Sequence, residues 1–372
     1  MTRPQTPGAM DVEAREEDSR PAARSTTMQR LLVALNCAML ALGATAGPLL
    51  SRLYYGKGGH RPWLAAWLQS AGWPLLLAPA AASYAARRRR RALGSTGQSA
   101  APLLLAPPRI LLAMAALGVA TGADNFLYAY GLSYLPLSTS AILISTQLAF
   151  TVFFAFLIVR QRLTPATVNA VALLTVGAVV LGLHVSGDRP AGVTRGQYWL
   201  GFVLTLGAAA MYGLILPLVE LAYKRAAGRG EVTYAFVVET QLVMGFFATA
   251  FATVGMVVNK DFQAIPREAR QFELGEGQYY TVLVWTAVLW QLFFLGAMGV
   301  IFCVHTLLAG IIIAVGIPVT EVGAVIFLHE RFSSEKGVAL VLSLWGLASY
   351  SYGEWCEFKA KKRMEDEAAQ AS

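Results

Sequence analysis

Apolar blocks recur along the whole chain, and short polar stretches rich in charges, proline or glycine separate them. A helix of about 20 apolar residues crosses the hydrocarbon core of a bilayer, so the pattern predicts an all-α integral membrane protein. The breaks give ten predicted transmembrane helices, at about 30–51, 63–86, 109–130, 136–158, 165–185, 198–223, 233–258, 280–301, 306–328 and 337–356.

The two halves of the chain resemble each other when the sequence is shifted along itself by 169 residues. In this register Pro48–Tyr55 meets Pro217–Lys224, and Gly177 meets Gly346. Since each half holds five spans, an odd number, the second half must enter the membrane in the opposite direction. Such a 5+5 inverted-topology repeat is typical of secondary transporters, whose related halves open a central site to either side in turn.

The same breaks divide the chain into four parts. They are a disordered cytosolic arm (1–29), a first five-helix repeat (30–185), a second five-helix repeat (198–356) and a cytosolic C-terminal tail (357–372). The arm is polar and lacks the apolar stretch of a signal peptide, so it is interpreted as part of the protein and not as a cleaved leader.

Composition and charge agree with a membrane protein. The chain is 56% hydrophobic and only 14% charged, whereas a soluble domain carries about 25% charged residues. The net charge of +8 does not predict nucleic-acid binding, because the basic residues lie between the apolar blocks. With a cytosolic N-terminus, 20 of the 30 lysines and arginines fall on the cytosolic side. This bias predicts that both termini are cytosolic. The apolar spans themselves make the lipid bilayer the expected partner of the protein.

Motifs of catalysis are missing from the sequence. It contains no glycine-rich phosphate loop, no HExxH and no GxSxG, and its three cysteines have no metal-like spacing. We therefore predict a protein that is not an enzyme and that needs neither a cofactor nor a metal. A proton or substrate gradient, and not ATP, is its expected source of energy.

An acid lies well inside the third span, in the stretch "GADNFLYAY". Inserting an aspartate such as Asp124 at that depth of a membrane costs about 2.5–3.5 kcal/mol of free energy. Its side chain is therefore expected to face the bundle interior or a wet cavity. Thr121 and Tyr128 share its helical face, and Asn125 is one step round. The carboxylate is interpreted either as a proton carrier beside a ligand-facing tyrosine or as a group that is hydrogen-bonded into the helix packing.

Two further acids lie within predicted spans. Gly316 and Pro318 are expected to interrupt the ninth helix beside Glu321, as in transporters that bind substrate or ion at a broken helix. Glu321 is alternatively a gate residue near the end of its span. Glu239 and Gln241 lie roughly 200° apart on the seventh helix, so one is expected to contact ligand and the other a neighbouring helix.

Amide and aromatic side chains suggest the chemistry of the ligand. Such groups suit a planar, nitrogen-rich heterocycle, which stacks on rings and hydrogen-bonds along its edge. The alternative is that the aromatic residues form interfacial belts, which fits Trp63 but not Trp290 in the middle of its span. The predicted substrate-binding residues are Gln69, Trp73, Asn125, Tyr128, Gln147, Gln241, Trp290 and Gln291, and the predicted proton-coupling residues are Asp124, Glu239 and Glu321.

Several blocks of the chain resemble the plant purine permease family of the drug/metabolite transporter superfamily. They are "GADNFLYAYGLSYLPLSTSAILISTQLAF", "ETQLVM", "GVIFC" and "IPVTEVGAVIFLHERF", in order within about residues 36–359. The resemblance implies the ten-helix, 5+5 fold and proton-coupled uptake of adenine-like bases. It also implies that cytokinins (N6-substituted adenines), purine-related alkaloids and some vitamin rings are possible substrates.

The residues and the resemblance together predict a proton-coupled transporter of purine bases and adenine-type cytokinins. A carrier of alkaloids or vitamin-like heterocycles, or a membrane receptor that binds purine without moving it, are the alternatives. The plasma membrane is the expected location, with the endoplasmic reticulum or the tonoplast as alternatives.

Overall fold

The computed structural model of the chain describes residues 20–93, 105–159, 164–183, 190, 192–227, 233–303, 306–329 and 333–371. Within these residues all regular structure is helical. The first half contains α1 (Arg20–Gly56), α2 (Pro62–Ser70), a 3₁₀ turn (Trp73–Leu76), α3 (Leu77–Leu93), α4 (Pro108–Tyr134), α5 (Leu137–Ser145), α6 (Gln147–Val159) and α7 (Pro165–Leu183). The second half contains α8 (Arg195–Ala227), α9 (Tyr234–Val258), α10 (Asp261–Gln271), α11 (Glu276–Cys303), α12 (Thr306–Leu328) and α13 (Ser334–Ala371).

Six helices of the described residues are long and apolar enough to cross a membrane. They are Met28–Gly56, Pro108–Tyr134, Leu137–Ile158, Arg195–Ala226, Tyr234–Val258 and Glu276–Cys303. The predicted all-helical integral membrane protein is therefore confirmed. Within the described residues each of the ten predicted spans overlaps helical structure, but the count of ten spans and their 5+5 division stay a prediction.

Prolines set several helix boundaries as expected. Pro108 occupies the first turn of α4, where its missing N–H has no intrahelical partner to lose. At the other end, Leu135 is extended (φ −108°, ψ 150°) because the residue before a proline is disfavoured in the helical region. The chain thus turns within two residues from α4 into α5.

The helix interruptions differ from those that the sequence predicts. α12 runs through Gly316 and Pro318 as one helix, so the expected break in the ninth span is wrong. A proline removes only one backbone donor, which neighbouring helices can compensate. Interruptions lie instead in the second span, after Ser70, and in the fourth span, at Thr146. There the hydroxyls of Ser145 and Thr146 donate to the carbonyls of Ile142 and Leu143, both at 2.6 Å, and so compete with the helical ladder.

The N-terminal boundary also needs correction. α1 begins at Arg20, so residues 20–29 are helical and not part of a disordered arm. The segment "RPAARSTTMQ" contains alanine, arginine, methionine and glutamine, which are good helix formers. The rest of the predicted arm, residues 1–19, lies outside the described residues. At the other end, α13 continues through most of the predicted tail.

Close helix crossings join the two halves of the chain. α1 packs along α11, and a β-carbon on Gly43 would lie only 2.5 Å from the backbone nitrogen of Phe293. A β-carbon on Gly296 would likewise lie 2.5 Å from the backbone nitrogen of Leu40. Because position 43 meets 293 and position 40 meets 296, the two helices are antiparallel. Glycine at both points lets their backbones approach, as at many crossings in membranes.

The crossing of α7 and α13 is reciprocal. A β-carbon on Gly177 would lie 3.3 Å from the carbonyl oxygen of Ala339, and one on Gly346 would lie 3.1 Å from that of Ala170. Residues 170 and 177 correspond to 339 and 346 at the offset of 169. Each contact is therefore the counterpart of the other, and the two helices are antiparallel. This reciprocity is what two oppositely inserted copies of one unit are expected to show.

Candidate functional site

A cavity of about 110 Å³ lies between helices of both halves. The first half contributes α1, α2, α4, α5 and α6, and the second half contributes α8, α11 and α12. We call it the main cavity. It is lined by Ala44, Pro48, Gln69, Asp124, Asn125, Tyr128, Ala141, Ile144, Gln147, Ala208, Tyr212, Trp290, Phe293, Phe294, Ile313, Gly316 and Thr320.

The main cavity brings together six of the residues that the sequence predicts as site residues. They come from four different helices and are Gln69, Asp124, Asn125, Tyr128, Gln147 and Trp290. The break between α5 and α6 immediately precedes Gln147, so irregular backbone occurs where it lines a cavity.

Three buried polar atoms at the main cavity have no hydrogen-bond partner in the described structure. They are Asp124 Oδ1, Asn125 Nδ2 and the Tyr212 hydroxyl, on residues that are at most 8% exposed. Buried polar atoms are otherwise almost always paired, so each such atom requires an explanation. An acceptor, a donor and a hydroxyl that does both can be satisfied together by a ligand with a polar edge.

Aromatic rings form one wall of the main cavity, and Trp290 is at its centre. The Trp290 indole N–H donates to the Ser51 hydroxyl at 3.0 Å, so its ring orientation is fixed. The ring meets Tyr128 edge to face, with centroids 5.7 Å apart and an angle of 72°. Phe293 and Phe294 lie 5.5 and 6.1 Å from it, centroid to centroid. A flat, apolar ligand face is expected against this wall.

Gln69 has a structural contact as well as a place in the cavity lining. Its Nε2 donates to the backbone carbonyl of Asn125 at 3.2 Å. This bond holds α2 against α4 beside Asp124.

A second and smaller cavity of about 10 Å³ contains two of the other predicted residues, Gln241 and Gln291. It shares Tyr212 and Phe294 with the main cavity but is a separate space. The structure therefore divides the predicted amides between two compartments.

Trp73 lines neither cavity. It packs on Gly245 and meets Phe246 edge to face, with centroids 5.3 Å apart. The sequence places it on one face with Gln69 by assuming a regular helix. α2 ends at Ser70, however, and Trp73 begins a 3₁₀ turn, so the assumed face does not exist.

Glu239 lies outside the main cavity, in an ion pair. Its Oε1 accepts from Arg87 Nη2 at 2.9 Å and its Oε2 accepts from the backbone N–H of Leu105 at 2.6 Å. The contacts join α9 to α3 and to the segment before α4; we call this place the Glu239 end of the bundle. The side chain of Glu321 lies outside the described residues, although Thr320 beside it lines the main cavity.

A second polar cluster lies at the opposite end of the spans, and we call it the Arg61 end. Arg61 pairs with Asp261 (3.2 Å) and approaches Glu268 (3.7 Å), which also accepts hydrogen bonds from Tyr54 and Tyr279. Burial raises the pKa of the Asp261 carboxyl, and the neighbouring Asn259 and Arg61 oppose this rise. These contacts tie the loop after α1 to α10.

The arrangement of helices has a counterpart among solved structures. One crystal structure of a protein aligns with a TM-score of 0.51 and 18% identity, over 86% of this chain and 95% of that chain. At this identity the likeness concerns the fold alone.

The sequence comparison decides the family. A family model described as purine nucleobase transmembrane transport matches residues 31–361. The chain belongs to the purine permease family. The resemblance found in the sequence blocks is thereby confirmed.

Named relatives of this purine permease family come from Arabidopsis thaliana. The chain is 47% identical to "Purine permease 3" over 92% of this chain and 96% of that one. It is 45% identical to "Purine permease 2" over 88% and 93% of the two chains, and 34% identical to "Purine permease 21" over 90% and 84%. These relatives are permeases, which confirms the prediction of a transport protein and not an enzyme.

The sequence reasoning missed four aromatic or polar residues that line the main cavity of this family member. They are Tyr212, Phe293, Phe294 and Thr320. Tyr212 lies in the middle of the predicted span 198–223. The depth argument that selects Trp290 applies to Tyr212 equally, so this signal was available.

The Arg87–Glu239 pair can be tested by neutralising the acid. Glu239→Gln removes one charge of the Arg87–Glu239 pair, and we expect a loss of about 1–3 kcal/mol of stability, since Glu239 is buried but Arg87 is partly exposed. The KM for substrate should not change, because Glu239 does not line the main cavity. The measurement is the thermal midpoint of the detergent-solubilised protein together with uptake kinetics.

The matched control is Glu220→Gln. Glu220 pairs with Lys224 at 2.7 Å, but the two side chains are 39% and 59% exposed. An ion pair this exposed contributes little to the stability of the protein. Equal effects of the two substitutions would contradict the structural role of Glu239. A loss of pH-dependent uptake in Glu239→Gln would instead assign it to proton coupling.

Proposed function

We propose that this chain is a secondary active transporter that moves purine bases and adenine-type cytokinins across a membrane together with protons. The observation that carries the proposal is the unpaired carboxyl of Asp124 in an aromatic cavity between the two halves of a purine permease. A binding site for a heterocycle and a titratable group thus occupy one space.

The lining of the main cavity suits a neutral planar heterocycle. Trp290, Tyr128 and the phenylalanines offer ring faces and edges, while Asn125 and Gln147 offer amide groups for the ring nitrogens. No lysine or arginine of the described residues lines this cavity. Lys336 is buried, but it donates to Ser138 at 2.6 Å and is not part of the lining. Phosphorylated substrates are therefore disfavoured.

Asp124 is the proposed carrier of the proton. Its carboxylate form would be a buried charge without a counter-ion among the lining residues, which is costly in a low-dielectric site. A proton from one side of the membrane neutralises the group, and release on the other side restores the charge. The movement of substrate is coupled to this cycle when both occupy the main cavity together.

Alternating access needs two halves that exchange conformations. We propose ten spans, with residues 30–185 and 198–356 as the inverted halves, both termini in the cytosol and the plasma membrane as the location. The reciprocal contacts of α7 and α13 support the repeat. The contacts at the Arg61 end join segments that the charge bias places outside the cytosol, and the contacts at the Glu239 end join segments that it places on the cytosolic side.

Uptake of radiolabelled adenine in yeast tests the proposal. Accumulation should be greater at acidic than at neutral external pH and should collapse with a protonophore. trans-Zeatin should compete with adenine; stronger competition by caffeine or pyridoxine would indicate an alkaloid or vitamin carrier instead.

Counterflow in proteoliposomes separates transport from binding. A transporter exchanges labelled external adenine for unlabelled internal adenine without any pH gradient. Binding of adenine without exchange would overturn the proposal in favour of a receptor.

A further inference from the structure

The smaller cavity adjoins the main cavity on the side of the Glu239 end. Thr121, which lines it, lies about one turn before Asp124 on α4. Gln241 lies two turns into α9, which runs parallel to α4 because Gly118 faces Met244 and Gly122 faces Ala248. The smaller cavity is therefore displaced from Asp124 towards the first turns of these two helices.

The smaller cavity contains polar atoms that the protein itself does not satisfy. Gln241 Oε1 and Gln291 Nε2 have no hydrogen-bond partner in the described structure, on side chains that are 5% and 3% exposed. The Tyr212 hydroxyl, which is shared with the main cavity, has none either. The hydroxyl of Thr121 donates to the carbonyl of Leu117, so it is already paired.

The size and chemistry of this space identify its ligand. A volume of about 10 Å³ accommodates the centre of one water molecule, and buried waters typically make about three hydrogen bonds. Here one acceptor, one donor and one hydroxyl are available. We propose that the smaller cavity is a water site and that its water relays the proton that leaves Asp124. This role rests on the proposed proton coupling.

Tyr212 connects the water to the acid. Its side chain lines both cavities, and its hydroxyl, like Asp124 Oδ1 in the main cavity, has no hydrogen-bond partner in the described structure. The carboxyl and the hydroxyl are not hydrogen-bonded to each other in this structure, so the relay requires them to come into contact during the transport cycle. The Asp124 carboxyl then gives its proton to the Tyr212 oxygen, which passes its own hydroxyl proton to the water. The protonated water then gives one of its protons to solvent water at the Glu239 end. Asp124 is left as a carboxylate, Tyr212 and the water are unchanged, and one positive charge has moved.

Few other groups compete for this proton. Among the described residues that line the two cavities, the titratable ones are Asp124 and Tyr128 on α4 and Tyr212 on α8. The residues that α2, α9 and α11 contribute to the linings are neither acidic nor basic.

Apolar substitutions of the two glutamines that line only the smaller cavity test the proposal. Gln241→Leu and Gln291→Leu each remove one partner of the water and keep similar bulk. We expect accumulation driven by a pH gradient in proteoliposomes to fall about tenfold, because a partner of the transferred proton is lost. Counterflow exchange at equal pH should stay within about twofold, since it needs no net release of protons.

The matched control is Met298→Leu, which changes an apolar lining residue of the same cavity. It should leave both pH-driven accumulation and counterflow at the wild-type level. Thermal midpoints verify that each variant is folded. The proposal is overturned if accumulation and counterflow fall together in the variants, or if both persist at the wild-type level. A wild-type protein that shows no pH-driven accumulation would refute proton coupling itself, which is a different result.

Discussion

Asp124→Asn is expected to abolish the accumulation of adenine against its gradient. The amide keeps the size and polarity of the side chain but cannot carry a proton, so substrate should only equilibrate across the membrane. Counterflow at equal pH should continue, because the aromatic wall and the amides of the main cavity are intact. Both quantities are measured in proteoliposomes with and without an imposed pH gradient.

Asp124→Glu is the matched variant, since it restores a titratable carboxyl at the same place. It should recover part of the pH-driven accumulation that Asp124→Asn loses. If Asp124→Asn accumulated adenine as well as the wild type, the proton would be carried elsewhere, and Glu321 would be the next acid to test. If counterflow also disappeared, Asp124 would be a residue of substrate binding or of helix packing.

Gly43→Ala is expected to destabilise the protein markedly. The new methyl group would lie 2.5 Å from the Phe293 nitrogen and 2.7 Å from the Leu289 oxygen, which are both backbone atoms and cannot turn away. α1 and α11 must then separate, and overpacking of this kind costs about 1–3 kcal/mol. We expect a thermal midpoint about 1–4 °C lower, measured on the solubilised protein by size-exclusion chromatography after heating.

Gly207→Ala supplies the control on another membrane-crossing helix. Its β-carbon would meet only a Leu127 methyl at 3.9 Å, which is an ordinary contact. Alanine is favoured over glycine in a helix by about 0.5–1 kcal/mol, so this variant should be as stable as the wild type or more so. Equal destabilisation of both variants would show that the clash at Gly43 is not the cause.

The sequence predicts positions along helices better than contacts between them. The sequence predicts three of the residues that line the main cavity, Asp124, Tyr128 and Trp290, from their depth within a span and their helical facing. Both of these properties depend on local sequence alone. The same argument misplaces Trp73, because it assumes that the helix continues beyond Ser70. The break at Thr146 arises when two neighbouring hydroxyls bond to their own backbone, which apolar periodicity does not reveal.

Contacts between residues that are far apart in the sequence are the second kind of feature that the sequence does not predict. The sequence predicts that Glu239 is a buried acid but identifies no partner for it. In the structure Arg87, 152 residues earlier, pairs with it. The division of the glutamines into two cavities likewise depends on how α8, α9 and α11 pack. Only the tertiary structure can show such relations, because nothing in the neighbouring sequence specifies the partner.

The reciprocal crossing of α7 and α13 has a consequence for the origin of the chain. In an isologous homodimer every contact between residues i and j is accompanied by one between j and i. Ala170–Gly346 and Gly177–Ala339 have this form at an offset of 169. An ancestral five-helix polypeptide with such a surface would already be self-complementary. Fusing two copies of its gene would therefore have required no new interface at this crossing.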